Sequence, residues 1–248
     1  MEKLLLACSL LALSSVSHAA TQTWDFTNGS SASNMNRNIV PNSISLSDVG
    51  NTMSVMMTAW SAYNDENIFQ SELWRSQWGL LAFNSQGEQH YVDNVGRYDF
   101  VLLQFDQDVE LSGINIDYFG SDSDISIAAF NSNPFQGSSA ATRWQQVAGT
   151  ALSTSSFANV GQSSSQYYAL NSGVNSAQLT TGVSASFWLV GAYNSYFGAG
   201  SGLGTGNDSV KLAGLTTTTS DFTQVSAPAT LSLFALSLLA LVGRRRSK

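Results

Sequence analysis

The 248-residue sequence is poor in the residue types on which many catalytic sites depend, with one cysteine, two histidines and three prolines. Cys8 and His18 lie in an N-terminal segment that we expect to be removed. The remaining chain would then have no disulfide and no thiol nucleophile. His90 would be its single imidazole, which excludes a multi-histidine zinc site. Because no G-x-S-x-G motif is present either, we predict that the protein is not an enzyme.

Basic residues are also scarce. Without Glu2, Lys3 and the four basic residues among the last five positions, five basic side chains face sixteen acidic ones, a balance of −11. Such a surface repels phosphate backbones, and no basic, aromatic-rich stripe opposes that repulsion, so nucleic acid is not an expected partner. Low lysine content with abundant Ser, Asn, Gly and Thr is instead typical of an extracellular bacterial β-protein.

The N-terminus has the order of parts found in a secretory signal peptide. A short charged segment precedes an apolar stretch over residues 4–16, and Ser17, His18 and Ala19 form a small-residue cleavage site. The pattern predicts a signal peptide over residues 1–19 with cleavage between Ala19 and Ala20. The expected first partners are therefore signal peptidase and the export machinery.

The C-terminus, residues 225–248, combines Pro228, an apolar run over residues 231–242, and a basic cluster that includes Arg244, Arg245 and Arg246. The apolar run is about half of the roughly 20 residues that a helix needs to cross a hydrocarbon core. A basic cluster after an apolar run is typical of a cytoplasmic stop signal. We therefore expect a short transmembrane helix here.

This tail resembles the PEP-CTERM sorting domain of exosortase-dependent bacterial surface proteins. The order of the three parts matches, although Pro228 alone stands for the usual Pro-Glu-Pro. The resemblance implies an exosortase-type transpeptidase as partner, an inner-membrane-tethered precursor, and delivery to the cell surface or a biofilm matrix with its extracellular polysaccharide. A plain C-terminal membrane anchor is the alternative.

Residues 20–215 show strand signals and predict one all-β domain, an antiparallel, jelly-roll-like β-sandwich. The clearest candidate strands are short, β-branched or aromatic-rich segments bounded by turn residues, at 52–59, 99–105, 113–119, 123–130 and 186–193. The last is continuously apolar, which suits a strand buried on both faces. Residues 64–74 are the one candidate helix, and residues 216–224 are expected to be a linker to the tail.

Three different short motifs lie between residues 78 and 215: V-D-N-x-G-x-x-D from Val92, D-S-D-x-S from Asp122, and N-D-x-V-K-L from Asn207. They resemble a subgroup of exosortase-dependent surface proteins, which implies an extracellular β-sandwich and no established activity.

The same motifs contain candidate ligands for Ca²⁺, namely Asp93, Asn94, Asp99, Asp122 and Asp124. They offer hard oxygens near strand ends, and two such loops brought together could supply the six to eight oxygens that Ca²⁺ takes. The alternative is that Asp and Asn are turn formers whose side chains bond to nearby backbone N–H groups.

Aromatic residues suggest a further function. Six tryptophans and eight tyrosines are present, and exposed aromatic rings can stack on sugars, although such residues also build sandwich cores. Tyr193 and Tyr196, which lead into a glycine-rich loop, are the candidates for ligand stacking, whereas Trp188 is expected in the core. The leading hypothesis is an exported, non-enzymatic surface or matrix protein; the alternatives are a lectin-like carbohydrate-binding module and, third, an exported glycoside hydrolase.

Overall fold

A computed structural model describes residues 19–27, 42–63, 66–84, 90–137, 140–160, 167–169 and 183–220. The chain divides into two compact units, Ala20–Thr219 and a second comprising Met1–Ala19 with Ser220–Lys248. Only Ala19 and Ser220 of the second unit are described. Most of the predicted signal peptide and of the sorting tail, with Pro228, Arg244, Arg245 and Arg246, thus lies outside the described residues. Within the described ranges, no helix has the length and apolar character needed to span a bilayer.

The unit Ala20–Thr219 is built mainly from strands, which confirms the all-β prediction. Its strands are β1 (Ala19–Asp25), β2 (Ile44–Ser47), β3 (Ser54–Ala62), β4 (Phe69–Ser76), β5 (Gly79–Phe83), β6 (Val92–Asp93), β7 (Tyr98–Phe119), β8 (Ile125–Phe130), β9 (Ser153–Phe157), β10 (Tyr167–Ala169), β11 (Ala185–Ala192) and β12 (Ser209–Ser220). Helix α1 (Trp144–Thr150) and a 3₁₀ turn (Ser195–Phe197) are also present in the described ranges.

The strands form two antiparallel groups that share the long strand β7. In the first group, the N-terminal part of β7 lies between β3 and β11; β2 and β4 pair with β3, and β8 and β9 continue beyond β11. In the second group, the C-terminal part of β7 pairs with β10 and β12, and β12 also pairs with β5 and β6. Strand β1 is the other neighbour of β12 in the strand order. Because β4 pairs with both β3 and β5, it joins the two groups a second time.

Part of the first group is buried on both faces. Alternate side chains of a strand point to opposite faces, and Val101, Leu103 and Phe105 of β7 join a large core that also contains Leu212 and Leu215 of β12. Phe100 and Leu102 join a second core, built with Trp144 of α1. Burial thus removes apolar side chains from water on both faces of β11 and of residues 100–103 of β7, which accounts for the nearly continuous hydrophobic sequence of these two segments.

Close strand packing requires glycine at one position. Gly191 of β11 pairs with Phe100 of β7, and a Cβ at residue 191 would overlap the carbonyl oxygen of Asp99 and the Phe100 ring. A side chain there would push β11 away from β7 beside the buried Asp99.

The candidate strands at 52–59, 123–130 and 186–193 are confirmed with different bounds by β3, β8 and β11, whereas those at 99–105 and 113–119 are two parts of the single strand β7. The candidate helix at residues 64–74 is wrong, because β4 begins at Phe69 and pairs in register with β3 and β5.

Residues 216–220, expected in the linker, lie in β12, where Thr217 and Thr219 are buried. The Trp24 indole N–H donates to the Thr217 hydroxyl at 3.0 Å, so this polar segment is held by β1.

Candidate metal centre

Three carboxylates converge at one end of the strands. Asp122 and Asp124 lie in the connection between β7 and β8, and Asp208 directly precedes β12. Each offers a carboxylate oxygen, and these oxygens lie within 4.8 Å of one another. Asp124 and Asp208 are completely buried, whereas Asp122 is half-buried. We call Asp122, Asp124 and Asp208 the carboxylate trio.

Backbone pairing explains why these distant segments meet. A short parallel bridge joins Asp122 to Asp208. The Ser209 N–H donates to the Asp122 carbonyl at 3.1 Å, and the Gly120 N–H donates to the Ser209 carbonyl at 2.8 Å. The end of β7 thus fixes the start of β12, and the carboxylates on the two segments are brought together.

Asp124 organises two further loops. Its carboxylate accepts the backbone N–H of Asn159, which follows β9, and that of Gly204, in the glycine-rich loop after the 3₁₀ turn, each at 2.8 Å. Its own N–H donates to the Asp208 carboxylate at 2.9 Å. The trio therefore holds the ends of several chain segments through charge-assisted hydrogen bonds, which are stronger than neutral ones.

Asn94 supports the trio from one side. Its Oδ1 accepts the N–H groups of Gly206 at 3.1 Å and Asp208 at 2.9 Å. Its Nδ2 donates to the Tyr193 carbonyl at 2.9 Å and to the Asp208 carboxylate. Of the predicted ligands, Asn94 therefore contacts the trio, and its amide fixes the position of Asp208.

The electrostatics of the trio oppose full ionisation. Burial, with a contribution from the negative charges of Asp124 and Asp122, raises the pKa of Asp208 to about 7, although hydrogen bonds from the Asp124 N–H and the Asn94 amide act in the opposite direction. Burial also raises the pKa of Asp124, with the N–H groups of Gly204 and Asn159 acting in the opposite direction. Either a proton or a cation would relieve this repulsion, and carboxylate oxygens are ligands that Ca²⁺ prefers.

Asp99 and Asp93 belong to a different arrangement. The completely buried Asp99 carboxylate accepts the Ser61 hydroxyl at 2.6 Å and the Asn84 amide at 2.8 and 3.0 Å. The backbone N–H of Asp93 also bonds to it, and the Arg97 charge lies near enough to lower its pKa. The Asp93 carboxylate itself accepts the Val95 N–H at 2.9 Å, as a turn-forming aspartate does. Neither residue is among the carboxylates that converge in the described part of the chain.

Asp208 is the member of the trio that was missing from the predicted ligands. It lies in the N-D-x-V-K-L motif, from which the sequence analysis predicts no ligand. The acidic residue in this third motif was the one sequence feature that could have indicated Asp208 as a ligand. Its closeness to Asp122 follows only from the pairing of β12 with β7.

The two candidate stacking tyrosines differ in exposure. Tyr193 is only 5% exposed, and its backbone N–H donates to the Asp124 carbonyl at 2.9 Å. Its ring is therefore unavailable for stacking on a ligand, which corrects that part of the prediction. Tyr196, in the 3₁₀ turn, is 43% exposed.

Another exposed aromatic group lies elsewhere in the described part of the chain. Trp78 and Tyr118 are both exposed, with ring centroids 6.5 Å apart, and Tyr91 stacks on Tyr118 at 5.8 Å. The Lys211 ammonium lies 5.3 and 5.4 Å from the Tyr91 and Tyr118 ring centroids. The neighbouring His90 is exposed, as expected for a surface residue.

Comparison with known proteins identifies no relative. No family model matches the chain, and neither a curated protein nor a solved structure matches it.

Proposed function

We propose that the protein is an exported, non-enzymatic component of the cell surface or extracellular matrix, whose domain is an antiparallel β-sandwich stabilised by Ca²⁺. The observation that carries this proposal is the convergence of Asp122, Asp124 and Asp208. Their hydrogen bonds to the chain's own backbone favour a structural role over a catalytic one. The leader and tail motifs support export and exosortase-type processing.

Calcium suits this trio for a physical reason. A divalent cation would offset the repulsion among three carboxylates without requiring one of them to take up a proton. It would also hold together the β7–β8 connection and the segment before β12, both of which supply ligands. Extracellular modules often bind Ca²⁺ with dissociation constants of about 10⁻⁴–10⁻³ M, so a site with only three carboxylates suits an exported protein.

Thermal unfolding of the full chain tests the calcium proposal. An ion bound only by the folded state adds about 2.7 kcal/mol at a hundredfold excess over its dissociation constant. The melting temperature should rise in millimolar Ca²⁺ relative to chelator, and should respond less to Mg²⁺, which requires a tighter octahedron. An unchanged melting temperature would leave the trio as turn formers and contradict the proposal.

A matched pair of variants makes that test specific. Asp122→Asn removes one charge at a half-buried position, where the exposed Asn207 amide can reorient to keep its hydrogen bond. This variant should respond much less to Ca²⁺. Asp108→Asn removes the same charge at an exposed position on β7 and should retain the full response. Equal responses of the two variants would place the calcium effect outside the trio.

Processing and placement are tested separately, with one tag before Ser226 and another after Lys248. In a host with an exosortase, the tags should separate, because a short apolar span with basic flanks is a poor permanent anchor. Deletion of residues 225–248 should remove surface or matrix placement. If both tags remain together in the surface fraction, the tail is a permanent anchor and the processing proposal is wrong.

A further inference from the structure

The outer face of the first strand group is only partly covered. Over β11 and part of β7, α1 and the 3₁₀ turn close the face; Trp144 and Phe197 lie 4.6 and 5.1 Å from Phe100, between ring centroids. Toward β3 the cover ends at Phe135, whose ring stacks on Trp60 at 4.2 Å. Beyond this edge, Met56 of β3 is exposed and Gln104 of β7 is half-exposed.

A groove of about 260 Å³ lies where the covered and open parts of this face meet. Thr58, Leu102 and Trp60 contribute to it from the strands. Four side-chain amides also line it: Gln70, Gln104, Asn133 and Gln136. Gln70 lies opposite Trp60 on β4, and Gln104 lies opposite Met56 on β7, so the amides flank the central strand β3.

Several of these side chains are held in place by the fold. The Trp60 indole N–H donates to the Thr58 hydroxyl at 2.9 Å, and Gln70 Nε2 donates to the Asn42 carbonyl at 3.0 Å. Asn133 Oδ1 accepts the Phe135 N–H at 2.9 Å, which fixes the loop that borders the groove. A ligand would therefore meet groups that are already oriented, which lowers the entropy cost of binding.

The chemistry of the lining selects a class of ligand. Each amide carries both donors and acceptors, which match the hydroxyl groups of a sugar, and Trp60 supplies apolar aromatic surface. None of the residues that line the groove in the described part of the chain is charged. The groove thus offers hydrogen bonds and apolar contact but no partner for an ionised group.

A second depression extends this surface. It has a volume of about 300 Å³, shares Asn133 and Gln136 with the first, and adds Asn131 and Ser132. The second depression is at the lower end of the size range of small-ligand sites, and the first is slightly smaller. From this geometry we infer that the outer face binds a neutral saccharide chain longer than one sugar unit. This inference goes beyond the proposed matrix role, and it depends on neither the calcium site nor the sorting tail.

Two other ligand classes fit less well. A peptide that binds by strand addition needs a free strand edge, whereas β3 is paired with β7 on one side and with β2 and β4 on the other. An acidic polysaccharide would meet an acidic protein and a groove lined by no basic residue. The neutral saccharide therefore remains as the class that the lining favours.

Isothermal titration of the full chain with neutral oligosaccharides tests the inference. The probes are hexamers of β-1,4-glucose, α-1,4-glucose, β-1,3-glucose and β-1,4-mannose, with a hexamer of galacturonic acid as the anionic comparison. At least one neutral hexamer should bind, more tightly than its monosaccharide and than the anionic hexamer. If none of the neutral hexamers binds, or if the anionic hexamer binds most tightly, the inference is wrong.

Variants then locate the site. Gln104→Ala and Gln136→Ala should each weaken binding by roughly two- to tenfold, the usual effect of losing one hydrogen bond. Gln107→Ala, an exposed glutamine of the same strand outside the groove lining, is the matched control and should change nothing.

Trp60→Ala should weaken binding more than either glutamine change, and Trp78→Ala, in the separate exposed aromatic group, should not weaken it. Because Trp60 also stacks on Phe135, its variant is checked for unaltered folding by circular dichroism. If folding is perturbed, the two glutamine variants decide the outcome. Loss of binding in Trp78→Ala with retention in Gln104→Ala and Gln136→Ala would move the sugar site to Trp78 and Tyr118 and overturn the inference.

Discussion

Asp99 and Asp208 are both completely buried carboxylates, yet their neighbours differ in charge. Around Asp99, Ser61 and Asn84 donate hydrogen bonds, and Arg97 contributes a positive charge. Around Asp208, the N–H of Asp124 and the amide of Asn94 donate, but the nearest charges are the carboxylates of Asp122 and Asp124. The pKa of both carboxyls is raised to about 7, but the charge that acts on Asp99 is positive, whereas the charges that act on Asp208 are those of two other carboxylates.

Burial alone therefore does not distinguish a metal ligand from a structural carboxylate. Burial raises the pKa of both Asp99 and Asp208. The difference lies in whether donors or other carboxylates surround the buried group. We therefore expect the two regions to differ in their response to calcium.

The largest effect is expected at Asp99. Asp99→Ala leaves the Ser61 hydroxyl, the Asn84 amide and the Asp93 N–H without their buried acceptor. It should reduce the free energy of unfolding by about 3–5 kcal/mol, since each buried polar group left unsatisfied costs about 1–3 kcal/mol. Urea denaturation measures this loss, which Ca²⁺ should not restore. Asp108→Ala, at an exposed position, should stay within about 0.5 kcal/mol of the unchanged chain. Recovery of Asp99→Ala by Ca²⁺ would show that the two regions are not distinct.

A smaller effect is expected from pH. The pKa of Asp208 rises from 3.8 in the unfolded chain to about 7 in the folded one, so between these values the folded state binds more protons. Stability in chelator should therefore fall as pH rises from about 4 to about 7, and should level off above that. We expect a loss on the order of 1 kcal/mol, since solvent near the half-buried Asp122 screens part of the effect.

Calcium separates the contributions to this pH dependence. Asp99 also has a raised pKa, so it contributes with the same sign, but it does so with and without Ca²⁺. If Ca²⁺ binds the ionised trio as proposed, saturating Ca²⁺ should remove the part of the slope that comes from Asp208. Urea denaturation at pH 5 and pH 8, with Ca²⁺ and with chelator, measures both parts. Identical slopes in the two conditions would argue against cation binding at the trio.

The smallest effect is expected at His90. This side chain is exposed and precedes the segment that contains Asp93 and Asn94. His90→Ala should change the free energy of unfolding by no more than about 0.5 kcal/mol and should leave the calcium response and the surface phenotype intact. If His90→Ala instead abolished a hydrolytic activity toward polysaccharide, the non-enzymatic proposal would be replaced by the hydrolase alternative.

The strands were predictable from sequence because local chemistry agrees with the fold. Residues 99–105 and 186–193 are β-branched or aromatic-rich, and burial on both faces matches the nearly continuous hydrophobicity of residues 186–193. Neither the strand β4, in place of the candidate helix at residues 64–74, nor helix α1 was predictable in this way. In β4, cross-strand pairing places apolar residues where the sequence also suggested a helical face. Helix α1 has no side-chain hydrogen bond at its N-cap, Arg143, and so it carries little sequence signal.

The candidate metal centre was predictable only in part. Asp122 and Asp124 stand in one short acidic turn, so local sequence could single them out. Asp208 is 84 positions from Asp124 in the sequence and meets it through the pairing of β12 with β7, and Asn94 is 114 positions from Asp208. No local pattern specifies such pairing. The same reason explains why Asp99, although close in sequence to Asp93 and Asn94, belongs to another environment.

The pairing of the first strand with the last also affects when the domain can fold. The hydrogen bond from Trp24 of β1 to Thr217 of β12 spans 193 residues, and β12 completes the edge on which β1 lies. Contacts between residues so distant in the chain slow folding, because a long loop must close before they form. A chain emerging in order from a ribosome or an export channel would lack its closing strand until the last residues of the domain appeared. The topology therefore delays completion of the fold until the C-terminal strand is available.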